Sequence, residues 1–132
     1  MSRPPTKGLT PFELEIMKVL WKEGPASVQN VRERLSPRRK LAYNTVQTML
    51  NVLCRKGRVR RRRQDRAYHY AATLTRLAAI RESVGDLVRR LFEGSPEDLV
   101  MSLIETRQLT PEKIERLIAL VEERKGGSSG EP

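Results

Sequence analysis

The chain has 132 residues, with 26 Lys+Arg against 16 Asp+Glu, a formal net charge of +10 and 38% hydrophobic content. That apolar content argues against global disorder, and the length suits one small domain with an appendage of roughly 50 residues. The longest apolar run, residues 117–121, and the polar start Met1-Ser2-Arg3-Pro4-Pro5 offer neither a membrane span nor a secretory leader. One cysteine and one histidine exclude an internal disulfide, fit a reducing cytoplasm, and are too few for a metal site within one chain.

Charge is divided along the chain. Residues 1–73 hold 17 Lys+Arg and 5 Asp+Glu, whereas residues 74–132 hold 9 and 11. Such asymmetry suggests two modules with different partners. The positive charges cluster at Arg38-Arg39-Lys40 and again over residues 55–66. Either run taken alone reads equally well as a solvated surface.

Thr10-Pro11-Phe12-Glu13 opens a first helix with a hydroxyl cap, a proline in the first turn and a glutamate three residues after the cap. Leu14, Met17, Leu20 and Trp21 recur at helical spacing until Gly24-Pro25, and Leu9 is placed to staple onto Leu14. Ser27 caps a short second helix with an apolar stripe of Val28, Val31 and Leu35, broken at Ser36-Pro37. A third helix spans residues 42–56, and Gly57 is its C-terminal cap. Val46, Met49, Leu50 and Leu53 share one face of it. The opposite face gathers Asn44, Thr48, Asn51 and Arg55, flanked by Thr45 and Gln47, with Tyr43 at the helix start. Solvent-facing stripes are usually mixed Glu/Lys, but this one consists of amide, hydroxyl and guanidinium groups suited to base edges and phosphates.

After Gly57 the period changes to two. Residues 58–63 and 67–71 read as strands around a turn at Gln64-Asp65-Arg66. Tyr68 and Tyr70 point to one side and are expected to pack on the helices, while His69 points to the other as a surface residue. Arg60 and Arg62 cannot share a side with Arg61 and Arg63, so at least one pair should reach phosphate. Three short helices and a basic hairpin predict a winged helix-turn-helix, with the third helix in a major groove and the wing on the adjacent backbone.

From residue 74 the chain is helical again. The first segment, to about residue 92, carries Leu77, Ile80, Val84, Leu87, Val88 and Leu91. Gly94-Ser95-Pro96 starts a second with Leu99, Val100, Leu103 and Ile104, and Thr110-Pro111 a third with Ile114, Leu117, Leu120 and Val121. Three amphipathic helices in about 50 residues would struggle to bury their stripes alone, which predicts an intertwined homodimer. Its interface would be Leu77, Ile80, Val84, Leu87, Val88, Leu91, Leu99, Leu103, Ile114, Leu117, Leu120 and Val121. The expected organisation is a DNA-binding domain over 1–73, a helical dimerisation domain over 74–125, and a disordered Gly/Ser-rich tail over 126–132. The fold class is therefore mainly α with a small β-hairpin wing.

Leu9-Thr10-Pro11, Glu13-Leu14-Glu15-Ile16-Met17 and Leu20-Trp21 resemble the first helix of the BlaI/MecI/CopY-type penicillinase repressors. Leu41-Ala42-Tyr43-Asn44-Thr45-Val46, with Thr48, Leu50 and Leu53, resembles that family's recognition helix. Lys56-Gly57 and Arg66-Ala67-Tyr68-His69-Tyr70 resemble its wing, and Gly94-Ser95-Pro96 with Leu109-Thr110-Pro111-Glu112 its dimerisation helices. The match runs collinearly over about residues 9–123. It implies a cytoplasmic homodimeric repressor on palindromic operators, often before antibiotic-resistance or metal-homeostasis genes. Copper-responsive members carry a Cys-x-Cys cluster that this chain lacks. The β-lactam-responsive members are inactivated by proteolysis at an Asn-Phe bond in the second dimerisation helix, and Ser102-Leu103 stands at the matching positions here. That Asn-Phe bond is therefore not carried over to this chain, and the resemblance implies a sensor protease as a further partner only through a cut placed within residues 96–107.

The leading expectation is a repressor without cofactor or metal that binds a double-stranded operator and no membrane. Asn44, Gln47 and Thr48 would read bases, while Thr45, Arg55, Arg39 and Lys40 anchor phosphate and the wing residues Arg60, Arg62, Arg63 and Arg66 add electrostatic affinity. A sequence-independent architectural protein is the rival reading. A protein-holding module fits poorly with the charge of residues 1–73. No nucleophile–base pair and no Gly-rich phosphate loop suggest an enzyme, and Cys54 reads as an inert, partly buried thiol.

Overall fold

The computed structural model describes residues 8–35 and 41–129, with backbone alone for 127–129. The elements are α1 (Pro11–Glu23), α2 (Val28–Arg34), α3 (Tyr43–Arg55), β1 (Val59–Gln64), β2 (Ala67–Ala72), α4 (Arg76–Leu91), α5 (Pro96–Glu105) and α6 (Pro111–Ser129). The fold is mostly helical with one antiparallel hairpin, a winged helix followed by further helices.

Local chemistry sets the boundaries. The Thr10 hydroxyl accepts from Glu13 N–H while the Glu13 carboxylate accepts from Thr10 N–H, a complete capping box at α1. Ser27, Thr75, Ser95 and Thr110 cap α2, α4, α5 and α6 in the same hydroxyl-to-N3 manner. At the end of α3, Gly57 takes φ +75 and two backbone bonds, Gly57 N–H to Cys54 O and Arg58 N–H to Leu53 O, close a Schellman turn. That turn directs the chain into the wing.

The core of the N-terminal part is built from Ile16, Met17 and Leu20 of α1, Val28 and Val31 of α2, and Val46, Leu50 and Leu53 of α3. Val19, Ala26, Leu35, Val59 and Tyr70 join them. The buried line of α1 therefore runs through Ile16 and Met17, with Leu14 and Trp21 at its half-buried margin. Trp21 Nε1 donates to Leu74 O at 2.8 Å, which fastens α1 to the chain leaving the hairpin. On the same flank the buried Arg58 pairs with Glu82 of α4 at 3.1 Å. Leu74 and Ala79 belong to this core as well.

These ties explain the division of the chain. Compact units cover residues 1–84 and 85–132, with the division inside α4. The second unit is held differently: no residue between 85 and 126 is buried. Leu87, Leu91, Val100, Met101, Leu117, Ile118, Leu120 and Val121 are exposed. The last helix runs on to Ser129, four residues into the segment whose composition suggests a disordered tail. Once a helix exists, each added residue gains a hydrogen bond, which can offset a glycine cost of about 1 kcal/mol. The rest of that segment, 130–132, lies outside the described residues.

One buried ion pair joins α1 to α3. Lys56 Nζ donates to Glu13 Oε1 at 2.8 Å and to Oε2 at 3.0 Å. Burial alone raises the Glu13 carboxyl, but the bonds from Lys56 and Thr10 and the Lys56 charge together hold it below its ordinary value of 4.5. A lowered carboxyl contributes stability above that ordinary value and loses it as pH falls through the folded one. Lys56→Met strands the carboxylate and is expected to cost about 3–5 kcal/mol at neutral pH. Urea unfolding at pH 7 and pH 3 checks this: the deficit must shrink at the lower pH.

Candidate nucleic-acid interface

The third helix presents its polar face because its apolar face is locked. Val46, Leu50 and Leu53 are fully buried, so Tyr43, Asn44, Thr45, Thr48 and Arg55 are turned outward and exposed. Gln47 and Asn51 are half-buried at the margins of that face. The helix contains no acidic residue, and Ala42 caps it without a side-chain hydrogen bond. The positive end of its dipole is thus neutralised by no carboxylate of its own.

The wing adds an alternating surface. Its register pairs Arg60 with Ala71, Arg61 with Tyr70, Arg62 with His69 and Arg63 with Tyr68. Paired residues share a side, so Arg61, Arg63, Tyr68 and Tyr70 lie on one face and Arg60, Arg62 and His69 on the other. Asp65 and Arg66 form a two-residue turn with φ +50 and +68, the positive angles of a type I′ hairpin. Arg60, Arg62, Arg63 and Arg66 are all exposed.

The basic run of residues 55–66 is sorted by its partners. Lys56 and Arg58 serve the core through Glu13 and Glu82. Arg61 lies over the Tyr68 ring at 4.4 Å and donates from Nη1 to Asn51 Oδ1 at 3.3 Å. Tyr70 Oη bonds the same oxygen at 3.2 Å. Asn51, expected on the DNA-facing stripe, therefore has its acceptor engaged by the wing. Arg61 was not among the expected site residues; its register opposite Tyr70 and its diagonal to Tyr68 are the signal that identifies it. Arg39 and Lys40 lie outside the described residues.

The two wing tyrosines part company. Tyr70 is buried as expected, its phenol pushed above its ordinary value by burial and drawn back in part by Arg61. Tyr68 is exposed beneath the arginines instead of packing on the helices. His69 is half-buried rather than a surface residue, and its shielded Nδ1 has no hydrogen-bond partner among the described residues. Burial raises the Cys54 thiol, the opposite of what a reactive cysteine requires.

Among the described residues no group of three or more His, Cys, Asp or Glu side chains is assembled to hold a metal ion. Nor is any described helix long and apolar enough to cross a membrane. The expected interface residues of the later helices fall into two sets. Leu77, Ile80, Val84, Leu87, Leu91, Leu117, Leu120 and Val121 are exposed, whereas Val88, Leu99, Leu103 and Ile114 are half-buried. Val100, Met101, Ile104 and Ile118 are exposed apolar residues outside the expected set.

A helix free of carboxylates beside a hairpin of exposed arginines defines a winged helix-turn-helix protein. The chain belongs to the penicillinase repressor family, whose model matches residues 9–123. It is 30% identical over 113 residues to the penicillinase repressor of Bacillus licheniformis, covering 86% of this chain and 88% of that protein. The transcriptional regulator BlaI of Mycobacterium tuberculosis is 46% identical over 61 residues, 46% of this chain and 44% of that one. The solution structure of the DNA binding domain of the repressor BlaI is 30% identical with a TM-score of 0.48, covering 58% of this chain and 90% of that chain.

The turn carries a local prediction. A side chain in the left-handed region costs roughly 1–2 kcal/mol, part of which glycine recovers. Arg66→Gly is expected to raise stability by up to about 1 kcal/mol, read as a higher midpoint in thermal unfolding. A lower midpoint would contradict the turn geometry.

Proposed function

We propose that this protein is a homodimeric, sequence-specific transcriptional repressor acting in the cytoplasm. The observation that carries the reading is the exposed, acid-free face of α3 beside the exposed wing arginines, in a chain of the penicillinase repressor family. Asn44, Gln47 and Thr48 read base edges in a major groove; Thr45 and Arg55, with Arg39 and Lys40, hold phosphates. Arg60, Arg62, Arg63 and Arg66 track the adjacent backbone.

Dimerisation is supported by the unburied apolar residues of α4, α5 and α6. Burying a Leu, Ile or Val side chain is worth about 1.5–3 kcal/mol, so a second copy of the chain is the economical cover. Two linked recognition helices suit a palindromic operator, because the second half-site is bound at high effective concentration. Release follows from a sensor protease cutting within residues 96–107, which divides α5 and uncouples the half-sites. Ser102 and Leu103 lie inside that helix and are half-buried, so the cut requires α5 to open locally.

Selection from a randomised duplex pool tests the reading. A palindrome favoured about 10³-fold or more over its scrambled copy at physiological salt is expected. Equal affinity with a steep salt dependence would make the chain an architectural protein. Within the selected site, Gln47→Ala is expected to flatten base preference. Arg62→Ala is expected to weaken all sequences alike and to reduce the slope of log K against log salt by about 0.9. Sedimentation velocity of Leu117→Asp should report a monomer where the unaltered chain reports a dimer.

A further inference from the structure

Asn51 Oδ1 accepts from Arg61 Nη1 and from Tyr70 Oη. A guanidinium only donates, so the orientation of this amide is fixed by chemistry, with oxygen toward the wing. The oxygen has two lone pairs and both are engaged, leaving the Nδ2 amide as the remaining hydrogen-bonding group of the side chain. Arg61 is itself held, with its guanidinium 4.4 Å from the Tyr68 centroid and its strand position paired with Tyr70. The brace therefore runs from the wing to Asn51, one turn beyond Gln47 and Thr48 on α3.

We propose that Arg61 is a positioning residue that makes Asn51 a donor-only reader of the operator. The inference rests on α3 being the recognition helix. A free asparagine reads adenine with two bonds, accepting from N6 and donating to N7. With Oδ1 engaged by the wing that paired readout is closed. Nδ2 donates instead to a base acceptor, guanine N7 or O6 or thymine O4. Cytosine, which presents a donor at this edge, is disfavoured, and adenine gains no two-bond advantage. The wing thereby sets a base preference without itself touching a base.

The test compares full-length unaltered protein, Arg61→Met, Asn51→Asp and Arg62→Gln by duplex selection and salt titration. Methionine keeps a long side chain against Tyr68 but cannot donate, so Arg61→Met frees one lone pair of Oδ1, enough to accept from adenine N6, while the Tyr70 bond holds the other. It is expected to move one symmetric position per half-site toward adenine by about tenfold, with the salt slope unchanged. Arg62→Gln should do the reverse, reducing the slope by about 0.9 and moving no position. Asn51→Asp keeps acceptors for Arg61 and Tyr70, so its melting temperature stays near that of the unaltered chain. Loss of Nδ2 should flatten preference at the position that Arg61→Met moves, which keeps the test alive if Arg61→Met fails to fold. A salt slope lowered by Arg61→Met with no base position moved would make Arg61 a phosphate contact and overturn the proposal. So would an unchanged preference in Asn51→Asp. Equal binding of selected and scrambled duplexes by the unaltered chain is a separate failure, seen before any substitution. It removes the recognition-helix reading and the proposal with it.

Discussion

Tyr70 pairs its backbone N–H and C=O with Ala26 at 2.8 and 3.0 Å and bonds Asn51 through its phenol, at 1% exposure. One strand residue thus joins the α1–α2 connection, the wing and α3. A two-stranded hairpin is marginal alone in water, so the wing depends on this bridge and on the burial behind it. The phenol needs a partner because a large ring can be buried at little cost only when its hydroxyl is bonded. Its choice of Asn51 makes the same contact that seats the strand also fix a side chain of the third helix.

Charge in this protein is used in three distinct ways, although the sequence writes it as one run. Lys56 and Arg58 are held by carboxylates from α1 and α4 and stabilise packing. Arg61 bridges two elements through a neutral amide and an aromatic ring. Arg55 and the remaining wing arginines stay exposed, with no carboxylate partner among the described residues, and can neutralise a polyanion. Counting positive charges along 55–66 therefore overstates the electrostatic surface, and alternation on a strand is what sorts it.

Much of the fold was legible because it rests on local rules. Thr10, Ser27, Ser95 and Thr110 announce helix starts through hydroxyl caps, and Val46, Leu50 and Leu53 mark a buried face by spacing alone. The change of period after Gly57 marks the hairpin. What stayed hidden depends on partners distant in sequence. Glu13 reads as a capping residue, yet it also receives Lys56 from 43 positions away. Asn51 reads as one more polar group on an outer stripe, because helical spacing cannot reveal a strand leaning on it. The ties of Trp21 to Leu74 and of Arg58 to Glu82 were hidden for the same reason.

Trp21 is the single tryptophan of the chain, and its indole N–H is bonded to Leu74 O where the hairpin exit meets α1. The molecule consequently carries one intrinsic fluorophore, placed at one seam. Its emission maximum and quenching report the hydration of that seam without interference from a second indole. Any event that loosens the exit of the wing becomes a spectral shift in unlabelled protein.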